Sequence, residues 1–112
     1  MSPVLALLGW LACTPREADV PDDSVDTSVD DLVRGIRDRR WTAASITADH
    51  LARIEATNRR GPTLNAVLAV NDQATAEAAA RDAATRRSGT LFGVPVLLKD
   101  NIDVEGLPTT AG

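Results

Sequence analysis

The chain has 112 residues, enough for one small domain, and its 44% hydrophobic and 25% charged content is that of a folding chain, not a disordered one. Sixteen acidic residues against twelve basic ones leave a net charge of −4, and the arginines are scattered among acids. That pattern excludes the clustered Lys/Arg footprint of a nucleic-acid binder. A single cysteine, Cys13, and a single histidine, His50, exclude an internal disulfide and a cysteine-based zinc site.

In chain order, Val4 to Cys13 (VLALLGWLAC) is an uncharged apolar run, too short for the roughly 20 residues that span a bilayer. It matches the apolar region of an export signal, and residues 1–20 are read as a signal or lipoprotein segment. Cys13, after Leu11-Ala12, resembles a bacterial lipoprotein processing site, where the cysteine is lipidated and becomes the new terminus. The expected location is then the cell envelope, by export and membrane attachment. A cytoplasmic chain with an apolar stub is the alternative, because no Lys or Arg precedes the run. Residues 21–31 are acidic and rich in Pro, Ser, Thr and Asp, the composition of an extended linker.

Residues 32–112 are expected to fold. Val29, Leu32, Val33 and Ile36 share one face of an amphipathic helix preceded by Thr27 and Ser28, with Asp30 and Asp31 at its positive end. Thr42 and Ser45 offer capping oxygens to a second helix, striped by Ile46, Leu51 and Ile54 and ending near Asn58, before Gly61-Pro62. His50 sits within that helix, where packing or solvent is its ordinary environment. Leu64 to Val70 (LNAVLAV) reads as a buried strand. Asn71-Asp72 caps a third helix with the Ala-rich body Ala74 to Arg87, stopped at Ser88-Gly89. Phe92 to Leu98 (FGVPVLL) reads as a second buried strand. The order predicts an α/β class, with too few strands for a complete sheet.

The stretch Gly93 to Gly112, GVPVLLKDNIDVEGLPTTAG, carries the chemistry. An apolar strand would deliver Lys99 and Asp100 to its carboxyl end, where α/β folds bind ligands. On spacing alone, a single lysine there is most often a solvated residue with its stem lying on apolar surface. The joined string changes the balance. Gly93-Val94-Pro95, Leu98 to Ile102, and Gly106 with Thr109 to Gly112 resemble the amidase signature family. Leu51 to Ile54 and Leu64-Asn65-Ala66 agree with it upstream, so the resemblance runs from about Ser28 to Gly112.

The resemblance implies an amidase signature fold, of which the chain would hold the amino-terminal helices and the first strands of a mixed sheet. It implies hydrolysis of a carbon–nitrogen amide bond in a small-molecule or peptide substrate, with neither metal nor organic cofactor. Lys99 would be the lysine of a Ser–cis-Ser–Lys triad, accepting a proton relayed from the nucleophilic serine. Asp100, Asn101 and Thr109 would shape the loop around it, the Asp and Asn side chains bonding nearby backbone.

Ser2, Ser24, Ser28, Ser45 and Ser88 all precede Lys99 and lie outside any Gly/Ser-rich context, so none takes either serine role. The chain is therefore expected to be a piece that is inactive alone. Two alternatives stand beside it: a tRNA-dependent amidotransferase component working on charged tRNA, and a non-catalytic remnant. Thr110-Ala111-Gly112 departs from the Cys- and Ser-containing continuation expected of the amidotransferase.

The terminus can be tested directly. Mass spectrometry of protein from its native host is expected to find Cys13 as the lipidated first residue, and Cys13→Ala is expected to abolish membrane association. Intact Met1 on an unmodified chain would contradict export.

Overall fold

The computed structural model describes residues 27–112. The apolar run, Cys13 and residues 21–26 of the acidic segment lie outside the described residues. Among the described residues three α-helices form: α1 (Val29–Arg37), α2 (Ala43–Ile54) and α3 (Ala74–Ala83). None of the described helices is long and apolar enough to cross a membrane.

Helix α1 starts where its cap sits. The Ser28 hydroxyl oxygen accepts the Asp31 N–H at 3.2 Å and its O–H reaches the Asp31 carboxylate at 2.7 Å. Val29 to Asp31 are thus already helical, and the linker expected over 21–31 ends three residues early. Asp31 also pairs with Arg34 at 2.7 Å, an exposed contact of small energetic weight. The opposite face buries Leu32, Val33, Gly35 and Ile36.

A tight turn follows, with Arg39 at φ 58 and the N–H groups of Arg40 and Trp41 both bonded to the Gly35 carbonyl at 2.9 and 3.2 Å. The turn lays the Trp41 indole against Gly35. A Cβ added there would fall 2.1 Å from Trp41 Cε3.

A helix leaves its first N–H groups without intrahelical partners. At α2 every one is met. The Asp82 carboxylate, from α3, accepts Ala43 N–H at 2.7 Å and Ala44 N–H at 2.9 Å. The Thr42 hydroxyl accepts Ser45 N–H at 3.0 Å, and Ser45 returns the bond to Thr42 N–H at 3.2 Å, a capping box. Arg87 completes the knot, donating to Ile36 O at 2.9 Å and Asp82 O at 2.7 Å. One carboxylate and one guanidinium therefore tie together the end of α1, the start of α2 and the end of α3.

The core lies beside this knot. Ile36 and Ile46 are completely buried with Leu32, and Trp41, Phe92 and Val94 pack around them. Beyond Ile54 the helix relaxes into one π-helical turn, Glu55–Arg59, and stops before Gly61 at φ 53.

Two expectations need correction. Helix α3 ends at Ala83 instead of Arg87, because the chain turns extended at Ala84 and Arg87 folds back onto the carbonyl of Asp82. More importantly, residues 64–70 and 92–98 form no strand, and no sheet exists among the described residues. A ladder needs a continuous exchange of hydrogen bonds with a neighbouring extended backbone. Residues 64–70 instead begin with two isolated bonds, Leu64 N–H to Thr57 O at 3.0 Å and Asn65 N–H to Asn58 O at 3.1 Å, and residues 92–98 make only local turn bonds. The α/β arrangement is thus not realised among the described residues, which are helical and irregular.

Gly35→Ala pits two effects against each other. Alanine gains about 1 kcal/mol in helix propensity, whereas overpacking a filled site costs roughly 1–3 kcal/mol and occasionally more. With the indole 2.1 Å away the steric cost wins. Urea denaturation is expected to show a net loss of stability, and a more stable Gly35→Ala would mean that Trp41 does not sit on α1.

Candidate active site

The segment expected to carry the chemistry starts from a fixed point. Arg37 donates to Gly89 O at 3.2 Å, and a turn bonds Val94 N–H to Leu91 O at 3.1 Å. Gly93 then passes close to the helices. Its φ of 78 lies in the left-handed region, and a Cβ would stand 3.1 Å from Ala43 Cβ and 3.4 Å from Ile36. Only glycine satisfies both demands. Phe92 and Val94 can therefore enter the core on either side of it.

After Pro95 the chain leaves the core. Val96 and Leu97 are 68% and 70% exposed, and Leu98 and Ile102 are exposed as well. Lys99, directly after Leu98, is solvent-exposed and without an ion pair among the described residues. It borders a wide, open groove with Leu51 and Ile54 of α2, Ala78 of α3, Val67 and Leu97. Opposite, Asn58 holds the other apolar segment: its side-chain amide donates to Val67 O at 2.8 Å and accepts Val67 N–H at 2.9 Å. A buried asparagine thus imitates one rung of a sheet.

The loop beyond Lys99 is organised by carboxylates. Asp100 accepts Thr110 N–H at 3.2 Å, Gly112 N–H at 3.1 Å and the Thr110 hydroxyl. The Thr110 hydroxyl, followed by the backbone N–H groups of residues 110–112, holds the Asp100 carboxyl below the ordinary aspartate range. The Thr109 hydroxyl donates elsewhere, to Asp103 at 2.7 Å. Asn101 is exposed and its side chain makes no hydrogen bond among the described residues. Lys99, Asp100 and Asn101 are thus neighbours by sequence, and of their side chains only that of Asp100 is engaged with the loop.

Sequence reasoning passed over Thr110, Asp103 and Asn58. Two adjacent threonines placed after two aspartates three apart were the available signal for the first pair. Asn58 gave none, because its partners are backbone groups nine residues on. His50 bonds the Ile46 carbonyl through Nδ1 at 2.8 Å, an intrahelical contact. No group of three or more His, Cys, Asp or Glu suited to a metal ion occurs among the described residues.

A family model for Amidase matches residues 45–112, which is more than half of the chain and includes Lys99 and the whole of the loop. The chain belongs to the amidase family. It is 43% identical over 90 residues to the A subunit of glutamyl-tRNA(Gln) amidotransferase from Granulibacter bethesdensis, covering 78% of this chain and 17% of that protein. The corresponding protein of Deinococcus deserti is 38% identical over 91 residues, covering 80% and 18%. That of Chloroflexus aurantiacus is 46% identical over 76 residues, covering 63% and 15%. The chain therefore spans less than one fifth of the length of these relatives. No solved structure matches it.

The Asp100 bonds have a pH signature. A carboxylate with a depressed folded-state pKa stabilises the fold above its unfolded value, and the contribution is lost as pH falls through the folded value. An NMR titration of the Asp100 carboxyl is expected to give a midpoint below that of an unstructured aspartate, moving upward in Thr110→Val. An unshifted midpoint would contradict the loop geometry.

Proposed function

We propose that this chain is the amino-terminal part of an amidase-family catalytic domain acting on carbon–nitrogen amide bonds, with Lys99 as its proton-transfer group. The observation that supports it best is the placement of Lys99. It ends an apolar segment whose first residues, Phe92 and Val94, pack on the core, borders an open groove, and lies inside the family match. Residues 32–112 are assigned to this domain, and residues 64–70 and 92–98 to strands of an α/β sheet whose partners come from the rest of the domain.

The chemistry follows from the residue types. A neutral Lys99 Nζ takes a proton through a relay serine as the nucleophilic serine attacks the amide carbonyl. The new C–O bond forms, the C–N bond breaks, and the nitrogen leaves carrying the returned proton. Water then attacks the acyl carbonyl, releasing the acid and restoring the serine hydroxyl, and the freed ammonia or amine is the species available to an amine-accepting substrate. Both serines are placed outside residues 27–112. This agrees with Ser28 and Ser45 serving as helix caps.

Between the two settings for this chemistry, the relatives favour the amidotransferase. The three proteins at 38–46% identity all carry the name of the glutamyl-tRNA(Gln) amidotransferase A subunit. We therefore assign the chain to that type ahead of a free-standing amidase. One component of a complex can serve charged tRNA without touching it, which is compatible with the net charge of −4. The family match begins at residue 45 and bears on neither Cys13 nor membrane attachment.

The test is a chimera in which residues 27–112 replace the matching segment of the Granulibacter bethesdensis relative. The chimera is expected to support amidation of glutamyl-tRNA(Gln), and Lys99→Ala to lower that rate about 100-fold or more, the scale of general-base removal. A folded Lys99→Ala chimera with parental rate would leave Lys99 a surface residue. Activity on simple amides alone would favour the free-standing amidase.

A further inference from the structure

We propose that Asp100 is the positioning residue for Lys99: its carboxylate gathers residues 110–112 and closes the loop onto the backbone immediately after the lysine. The inference rests on the role proposed for Lys99 and adds a device that makes that role possible. A lysine side chain is a flexible four-carbon stem, and Lys99 is exposed with no ion pair among the described residues to hold it. Its aim therefore depends on how firmly its backbone is rooted. On the near side the chain is anchored no closer than Phe92 and Val94 in the core. On the far side Asp100 supplies the anchor, one residue away.

The two carboxylate oxygens divide the work. Oδ1 accepts Thr110 N–H at 3.2 Å, and Oδ2 accepts both Gly112 N–H at 3.1 Å and the Thr110 hydroxyl. The Gly112 N–H is shared with Thr110 Oγ1 at 3.3 Å, so the three groups form one closed set. Ala111 between them is held at φ 54, a left-handed conformation that an alanine rarely adopts unaided. The Lys99 carbonyl joins the same structure by accepting Ile102 N–H at 2.9 Å.

The arrangement needs an acid and not its amide. Asparagine has one acceptor oxygen and one NH2 donor. Whichever way it is turned, a backbone N–H of Thr110 or Gly112 would face a second donor. Thr110 matters in the same way, because its hydroxyl donates a hydrogen bond to the carboxylate and accepts one from Gly112 N–H. Serine can do both and valine neither.

The experiment uses the same chimera, assayed for kcat and KM in glutamyl-tRNA(Gln) amidation. Asp100→Asn is expected to lower kcat by up to about 100-fold, the effect of misplacing a catalytic group by an ångström, with KM and thermal midpoint near parental. Thr110→Val is expected to follow it, and Thr110→Ser to recover most of the lost rate. Asp100→Asn with parental kcat would overturn the proposal, as would a loss in which Thr110→Ser is no better than Thr110→Val. Lys99→Ala, measured alongside, separates the two levels. If it is inactive while Asp100→Asn is parental, only the positioning role fails; if it is active, the role of Lys99 fails and the positioning role with it.

Discussion

Everything that places the candidate site depends on the seating of residues 92–94 against the α1–α2 core. Ile36 and Ile46 are its floor, and Gly93 passes so close that an added Cβ would stand 3.1 Å from Ala43 Cβ, so Phe92 and Val94 can fill the space on either side. The floor is itself held by charge. The Asp82 carboxylate satisfies the first N–H groups of α2, and Arg87 ties the carbonyl of Ile36 to that of Asp82. Removing the knot would free three helix ends together, and the route to Lys99 would lose its origin.

The same geometry explains why so much apolar surface is bare. Among the described residues only two large side chains, Ile36 and Ile46, are fully buried, whereas Leu64, Leu68, Val96, Leu97 and Leu98 are all more than half exposed. Burying one such side chain fully contributes roughly 1.5–3 kcal/mol, so this face forgoes stabilisation comparable to that of the core. Its residues lie on the two segments that sequence patterning marks as strands, both of which contribute to the lining of the groove beside Lys99. A chain spanning less than a fifth of its relatives' length would present such a face wherever the neighbouring strands belong to the remainder of the domain. Asn58 bonds both backbone groups of Val67 with its side chain, so at that residue the segment's backbone is satisfied without a strand partner.

What could be read from the sequence divides by distance along the chain. The starts of α1 and α2 were legible because Ser28 with Asp31, and Thr42 with Ser45, are three residues apart and act through local geometry. The end of α3 was not, because it is set by Arg87 reaching the carbonyl of Ile36, 51 residues away. Alanine propensity alone would have continued the helix. Strand patterning in residues 64–70 and 92–98 reported apolar segments correctly but could not supply neighbours, and pairing requires them. At the site, the string around Lys99 pointed to the family, and the match over residues 45–112 agrees. The bond from Asp100 to Thr110 and Gly112 stayed hidden, since a spacing of ten or twelve residues in a loop has no periodicity to betray it.

The central question is whether Lys99 meets a serine when the domain is whole. A crystal structure of the chimera carrying residues 27–112 measures this directly. Residues 64–70 and 92–98 are expected to be paired in a sheet, with Lys99 Nζ within hydrogen-bond reach of a serine hydroxyl contributed by the rest of the domain. Lys99 pointing to solvent, with no serine nearby, would contradict the proposed role.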